Sequence, residues 1–274
     1  MLSYQHHYHV GNHADVLKHW VLFECLTYLQ KKDKPFDYID THSGAGIYDL
    51  KDSKTQKLKE FETGITRLLA QPVPALEDFT QLIKQFVDKG QYPGSPAIVD
   101  ALLRRGDKSW LFELHPQTFT ELEQHCARKR QCFVRQEDGF KGLTALLPVA
   151  SKRALVLIDP SYELKEDYRN VVIAAEKAIQ RMPQTTVLIW YPVVQRQYVE
   201  SLVTGIQESK LRNVLQIELR IAADSDEKGM TGSGMIVVNP PWTLAKQAEA
   251  LLPDLTEVLS PSEGNWDVSP LVAE

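Results

Sequence analysis

The chain has 274 residues, 43% of them hydrophobic, and a formal net charge of −5. That is enough apolar material for one large domain or a domain with an insert, and no run approaches the roughly 20 apolar residues that span a bilayer. The mild negative charge means that nucleic-acid binding must rest on a local basic face.

The amino terminus, Met1-Leu-Ser-Tyr-Gln-His-His7, lacks the basic and apolar regions of a signal peptide, and Cys25, Cys126 and Cys132 form no CxxC pair. A cytoplasmic location is expected, with the cysteines as small buried hydrophobes. His6, His7, His9 and His13 have no cysteine or carboxylate at ligand spacing, so no metal site is expected. Asn12 followed by Asp15 reads as a helix cap with an acidic third residue. Val16, Leu17, Trp20, Val21, Phe23 and Leu26 then give a helical stripe to about Lys31. Lys18 and His19 interrupt it and read as a solvated lysine and a boundary histidine. After Pro35, residues 36–39 form a short strand leading into Asp40-Thr-His-Ser-Gly-Ala-Gly46. An acid and two glycines behind a strand suit a first βα loop that brings backbone close to a ligand. The GxGxxG and P-loop patterns are absent, which counts against a dinucleotide and against ATP.

Residues 47–92 fit no βαβ repeat and read as a helical insert on the first crossover, with helices over roughly 55–70 and 75–88. The expected division is a main domain of 1–46 and 93–274 and an insert of 47–92. Lys51, Lys54, Lys57 and Lys59 at its entry read as a solvated face or a phosphate-facing patch. Ser95 reads as an N-cap with Pro96 at the first helical position. Strands are predicted over 110–112, 132–134, 154–158 and 186–190, with helices over 117–129, from 139 to 147, over 166–181 and over 194–208. Strands over 214–221 and 235–238 have no room for a crossover helix between them and must pair antiparallel. A helix over 244–252 follows, and the last dozen residues show no regular pattern. The expected architecture is an α/β fold with a seven-stranded, mostly parallel sheet of the methyltransferase kind, helices on both faces and a helical insert.

Ala154-Leu-Val-Leu-Ile-Asp-Pro-Ser-Tyr162 is the stretch on which function turns. Five apolar residues fit a strand buried on both faces, and they deliver Asp159, the Pro160 carbonyl and the Tyr162 ring to the carboxyl edge, where ligands bind in such sheets. Glu113, Asp138 and the loop from Asp40 to Gly46 fall at the same edge. A carboxylate after the second strand suits two ribose hydroxyls, and Asp138 suits an adenine amino group. S-adenosylmethionine is the expected cofactor.

The chain resembles the bacterial 23S ribosomal RNA adenine-N6 methyltransferase J family over essentially its whole length. The most specific matches are Tyr4, Gly11-Asn-His-Ala-Asp-Val-Leu-Lys-His19, Asp40 to Gly46, Tyr92-Pro-Gly-Ser-Pro96, Glu113-Leu-His-Pro116, Asp138-Gly139, Gly229-Met-Thr231 and Asn239-Pro-Pro-Trp242. The resemblance implies a class I methyltransferase with cofactor contacts from His19, His42, Ser95, Glu113, Asp138, Gly139 and Asp159, and Lys18 nearby. It implies that Tyr4 lies over the target-base entrance, and that the substrate is adenine 2030 of deproteinised or immature 23S rRNA. A monomer with no membrane partner is expected.

One position departs from the family. Its catalytic tetrapeptide is Asp-Pro-Pro-Tyr, and here it is Asp159-Pro160-Ser161-Tyr162. The exocyclic amine of adenine is a poor nucleophile, so Asp159 and the Pro160 carbonyl would hold it while Tyr162 stacks on the base. Ser161 keeps each of these groups and loosens the loop. Asn239-Pro-Pro-Trp242 matches the general amino-methyltransferase signature better, but its strand runs antiparallel and ends at the wrong edge. Asn239 then reads as a strand stop and Trp242 as core. Rival readings are a methyltransferase acting on adenine N6 of DNA or on a protein amide, and a non-catalytic RNA-binding assembly protein. Lys51 to Lys59, Arg104-Arg105, Arg128-Lys-Arg130 and Lys152-Arg153 read as one phosphate-binding face for RNA.

Overall fold

The computed structural model describes residues 6–126, 130–225 and 229–274. The centre is a strand that alternates between two apolar layers. In β6 (Ala154–Ile158) every residue is buried. Leu155 and Leu157 enter one apolar cluster, while Ala154, Val156 and Ile158 enter the other. That two-residue period is what a strand with helices on both faces requires. Its parallel neighbours are β1 (Asp37–Asp40) on one side and β7 (Thr186–Val193) on the other. Beyond β1 lie β4 (Lys108–Phe112) and then β5 (Cys132–Arg135), both parallel.

On the other flank, β9 (Gly232–Val238) pairs antiparallel with β7 and with β8 (Val214–Arg220). The expected antiparallel closure is therefore present. The sheet has eight strands rather than seven, because β10 (Asn265–Val272) pairs antiparallel with β8 at the edge. Its alternation is only half-buried, and Pro270 lies at a register irregularity. Proline on an edge strand deletes no needed ladder bond and blunts further pairing, which also hides the strand in the sequence.

One face of the sheet carries α1 (His13–Gln30), α6 (Ser95–Leu102) and α11 (Leu244–Leu259). The other carries α8 (Gly139–Leu146), α9 (Asp167–Arg181) and α10 (Arg196–Glu208). Helix α1 is buried over every residue from His13 to Phe23 because it packs on the sheet and shares an apolar cluster with Ile65, Leu68 and Phe79. Helix α11 runs seven residues past the expected stop at 252 and contains Pro253. Buried Leu251, Leu252, Leu255 and Leu259 hold it through the missing backbone donor. Trp242 is 82% exposed, so its expected place in the core is corrected. Asn239, by contrast, is a strand stop, donating through Nδ2 to the carbonyls of Pro183 and Thr185 at the start of β7.

The segment between β2 (Ile47–Asp49) and β3 (Gln91–Pro93), which pair antiparallel, shares the apolar cluster of α1 through Ile65, Leu68, Phe79 and Ile83. The first of its two expected helices is instead three short ones, Thr55–Leu58, Glu60–Thr63 and Ile65–Ala70. The cause is docking on the amino-terminal segment. A Cβ on Gly64 would lie 2.1 Å from the Gly11 carbonyl oxygen, and Ile65 N–H donates to that oxygen. Glu60 accepts from Asn12 Nδ2 at 2.9 Å and contacts His9 Nδ1 at 3.0 Å. Among the described residues no helix is long and apolar enough to cross a membrane.

Candidate active site

The strand order β6-β1-β4-β5 sets four acids in a row along one edge: Asp159, Asp40, Glu113 and Asp138. Asp40 ends β1 and is fully buried, accepting from Tyr38 Oη and Ser95 Oγ, each at 2.7 Å. Burial lifts its pKa to about 6, although these hydroxyl donors partly offset the cost. Ser95 is thus corrected from a helix cap: Gly94 is the cap of α6, and the Ser95 hydroxyl faces the Asp40 carboxylate.

The first loop then turns at Gly44, whose φ of 62° suits a residue without Cβ. That turn aims Gly44 N–H at Glu113 Oε2, 3.0 Å away, while Oε1 accepts from His115 N–H at 2.8 Å. Burial raises the Glu113 pKa against these donors. Each Glu113 oxygen retains a lone pair, the acceptor geometry that two vicinal hydroxyl donors require. Asp138 is first of all the cap of α8: its Oδ1 accepts from Phe140 and Lys141 N–H, while Oδ2 lies 3.6 Å from Lys141 Nζ. Gly139 has no space for a side chain, since a Cβ would lie 1.9 Å from the Thr41 carbonyl oxygen. This contact seats α8 on the first loop. His42 packs edge-on against Phe140 at 5.0 Å, and burial lowers its pKa to about 4, leaving a neutral imidazole.

Beside this row is a buried charge cluster. Lys18 is 5% exposed, and its ammonium lies 2.8 Å from Asp159 Oδ2 and 2.9 Å from Asp15 Oδ1. Its reading as a solvated lysine is corrected. Burial alone would favour the neutral amine, but the two carboxylates outweigh it and hold the Lys18 pKa well above the ordinary value. Asp15 also accepts from Gly11 N–H at 2.8 Å and meets His6 Nε2 at 2.9 Å. These charges keep it well below the usual carboxylate range against the cost of burial. Read from the residues, Asp15 is only the acidic third residue behind the Asn12 cap. The missed signal is an acid and a lysine three apart on a helix that is otherwise apolar on that face.

In the loop after β6, Asp159 Oδ1 and the Pro160 carbonyl accept no hydrogen bond from the described residues. Tyr162 has a φ of 53°, an unusual left-handed conformation for an aromatic residue. Its hydroxyl donates to the Trp190 carbonyl at 2.6 Å, and its ring lies 4.5 Å from that of Tyr168.

Other expected residues sit elsewhere. Tyr4 lies outside the described residues. His19 is fully buried, not at a boundary; its Nδ1 lies 2.9 Å from Tyr92 Oη, and burial lowers its pKa to about 3. Sheet polarity also divides the basic runs, so they do not form one face. Lys51 to Lys59 follow the first loop, with Lys57 Nζ 5.7 Å from the Tyr8 ring centroid. Arg104-Arg105, Arg130 and Lys152-Arg153 instead precede β4, β5 and β6 at the opposite edge, and Arg128 and Lys129 are outside the described residues.

Residues 33–272 match the family model described as ribosomal RNA large subunit methyltransferase D, RlmJ. The chain is 44% identical to the ribosomal RNA large subunit methyltransferase J of Haemophilus influenzae, over 100% of both chains. It is equally similar, 44% over 100% of both, to the protein of that name from Escherichia coli K12. A crystal structure of a Legionella pneumophila protein of the DUF519 family superposes with a TM-score of 0.88 at 35% identity, covering 95% of this chain and 97% of that one. A row of acids at the carboxyl edge of a methyltransferase sheet and full-length identity at this level agree: the chain belongs to the RlmJ family of ribosomal RNA large subunit methyltransferases.

Proposed function

We propose that the protein transfers a methyl group from S-adenosylmethionine to N6 of an unpaired adenine in 23S rRNA, in the cytoplasm, as a monomer acting on deproteinised or early-assembly RNA. The observation that carries this reading is the Asp159 carboxylate, pinned through Oδ2 by Lys18 with Oδ1 left for a ligand. When bound, S-adenosylmethionine supplies an electrophilic methyl carbon. Glu113 would hold its ribose through the two remaining lone pairs, with Asp138 Oδ2 near the adenine amine and Gly139 keeping α8 seated against the first loop. His42 and Ser95 support the same loop, and His19 is buried against Tyr92.

The target amine donates to Asp159 Oδ1 and the Pro160 carbonyl, which hold its nitrogen in a geometry that frees the lone pair from the ring. The anchored Tyr162 ring stacks on the base, worth about 1–3 kcal/mol. Methylation leaves a strongly acidic amine cation, and Asp159 or an adjacent water takes its proton. A paired adenine cannot present this amine to a recessed group, so the target is unpaired or flipped. Incubation with labelled cofactor and deproteinised 23S rRNA, 50S subunits or adenine-containing duplex DNA tests the reading. Label is expected in the deproteinised rRNA, at adenine N6; preferential labelling of DNA overturns it.

A further inference from the structure

The parallel strands have an amino edge as well as the carboxyl edge that carries the acids. Lys32 and Lys34 precede β1, Arg105 and Lys108 stand at the start of β4, Arg130 precedes β5 and Lys152 precedes β6. Hydrogen bonds place these loops side by side. Arg104 donates to the carbonyls of Lys32 and Lys34, and Arg153 to that of Lys34. Lys108 N–H donates to the Phe36 carbonyl and Ser109 N–H to that of Gln131.

Arg104 and Arg153 are occupied at the end of α1, where they also reach the carbonyls of Gln30 and Leu29. The other six basic side chains are exposed, and among the described residues they form no ion pair. Asp37 and Asp107 at the same strand starts are buried and engaged by Trp110, Ser151 and Arg104, leaving Asp33 as the exposed acid in these loops. The row continues through Gln184, whose Nε2 donates to the Lys152 carbonyl, to Asn239 at the start of β7. Trp242, 82% exposed, follows three residues later.

We infer that this amino edge is a second RNA-contact surface, which grips the phosphates of a stem distant from the methylated adenine. The inference rests on the proposed RNA substrate. A chain with a formal charge of −5 that lines six unneutralised cations along one edge, with an exposed indole three residues beyond its last member, has separated its charge. Evenly spaced phosphates answer the cations, and a base or terminal pair answers the indole. A five-residue strand is about 17 Å long, so the two edges are too far apart for one short hairpin to meet both, whereas a folded rRNA domain spans them.

The test compares two RNAs in steady-state kinetics: a large deproteinised 23S rRNA fragment and a short hairpin carrying the target adenine. For K34E/K108E/K152E, KM on the large RNA should rise about tenfold and its salt dependence should flatten, with kcat unchanged. Kinetics on the hairpin should match the unaltered protein, which also shows that the variant is folded. Trp242→Ser should raise KM on the large RNA alone, by about threefold. Unchanged KM on the large RNA, or an equal loss on the hairpin, overturns the inference. If the unaltered protein labels neither RNA, the proposed function fails and this inference fails with it.

Discussion

The Lys18 ammonium lies 2.8 Å from Asp159 Oδ2, although 141 positions separate the two residues in the chain. Asp15, one helical turn before Lys18, holds the ammonium from the other side. Helix α1 thereby orients the acid at the end of β6, fixing one carboxylate oxygen and leaving the other at the site. Removing the acid tests its part in turnover. Asp159→Ala should fold, because Asp15 still neutralises Lys18, and should lower kcat at least about 100-fold. Near-normal turnover in a folded variant refutes the assignment.

Glu113→Ala should weaken S-adenosylmethionine binding about tenfold or more and leave RNA affinity nearly unchanged, since the lost carboxylate, aligned by Gly44 and His115 N–H, is the group proposed to hold the cofactor ribose. Calorimetry with cofactor alone measures this. Unaltered cofactor affinity would make Glu113 only a brace for the first loop.

Gly139→Ala introduces a Cβ 1.9 Å from the Thr41 carbonyl oxygen, and backbone cannot yield there cheaply. The expected outcome is a loss of about 1–3 kcal/mol in denaturant unfolding together with weaker cofactor binding, as α8 and the first loop are forced apart. A variant with unchanged midpoint and unchanged affinity would contradict the packing argument.

For Ser161→Pro we expect a stable protein with modestly higher turnover. No hydrogen bond from Ser161 N–H to the described residues would be deleted, and a second proline restricts the unfolded loop, a gain of about 0.4–1 kcal/mol. A clear drop in kcat would mean that the left-handed Tyr162 needs the freedom serine allows.

Acid sensitivity follows from buried neutral histidines. Burial lowers His13 and His42 to about 4 and His19 to about 3. Unfolding returns them to the ordinary value near 6.5, so between that pH and their folded values the unfolded chain binds more protons. Their stability contribution is present above about pH 6.5 and is lost as pH falls, by about 1.4 kcal/mol per pH unit for each histidine. His13→Gln should flatten the fall in melting temperature between pH 6.5 and 4.5 by one histidine's share. An identical slope would show that His13 is not held neutral.

Much of the site was legible because local patterns encode burial. The five-residue apolar run of β6 announces a strand covered on both faces, and the acid behind it then falls at the ligand edge. Asn12 is a capping residue by type and spacing, and its side chain caps α1. The short link between β8 and β9 forces an antiparallel pair, which sets Asn239 at the far edge and removes it from the chemistry. Strand β10 was illegible because an edge strand is half-exposed and carries proline. The end of α11 was misread because buried leucines outweigh Pro253.

What the tertiary structure alone decided is which groups meet. Lys18 looks like an interruption in an apolar stripe until α1 is laid across the sheet and brings its ammonium to Asp159. Ser95 satisfies every local rule for a cap, yet its hydroxyl goes to Asp40, 55 residues away. The basic runs are alike in composition, and the direction of the strand that each precedes or follows sends them to opposite edges. Periodicity and capping act over one or two turns of chain, so sequence reports them. Partners across a parallel sheet depend on strand order and helix placement, which many distant contacts settle together.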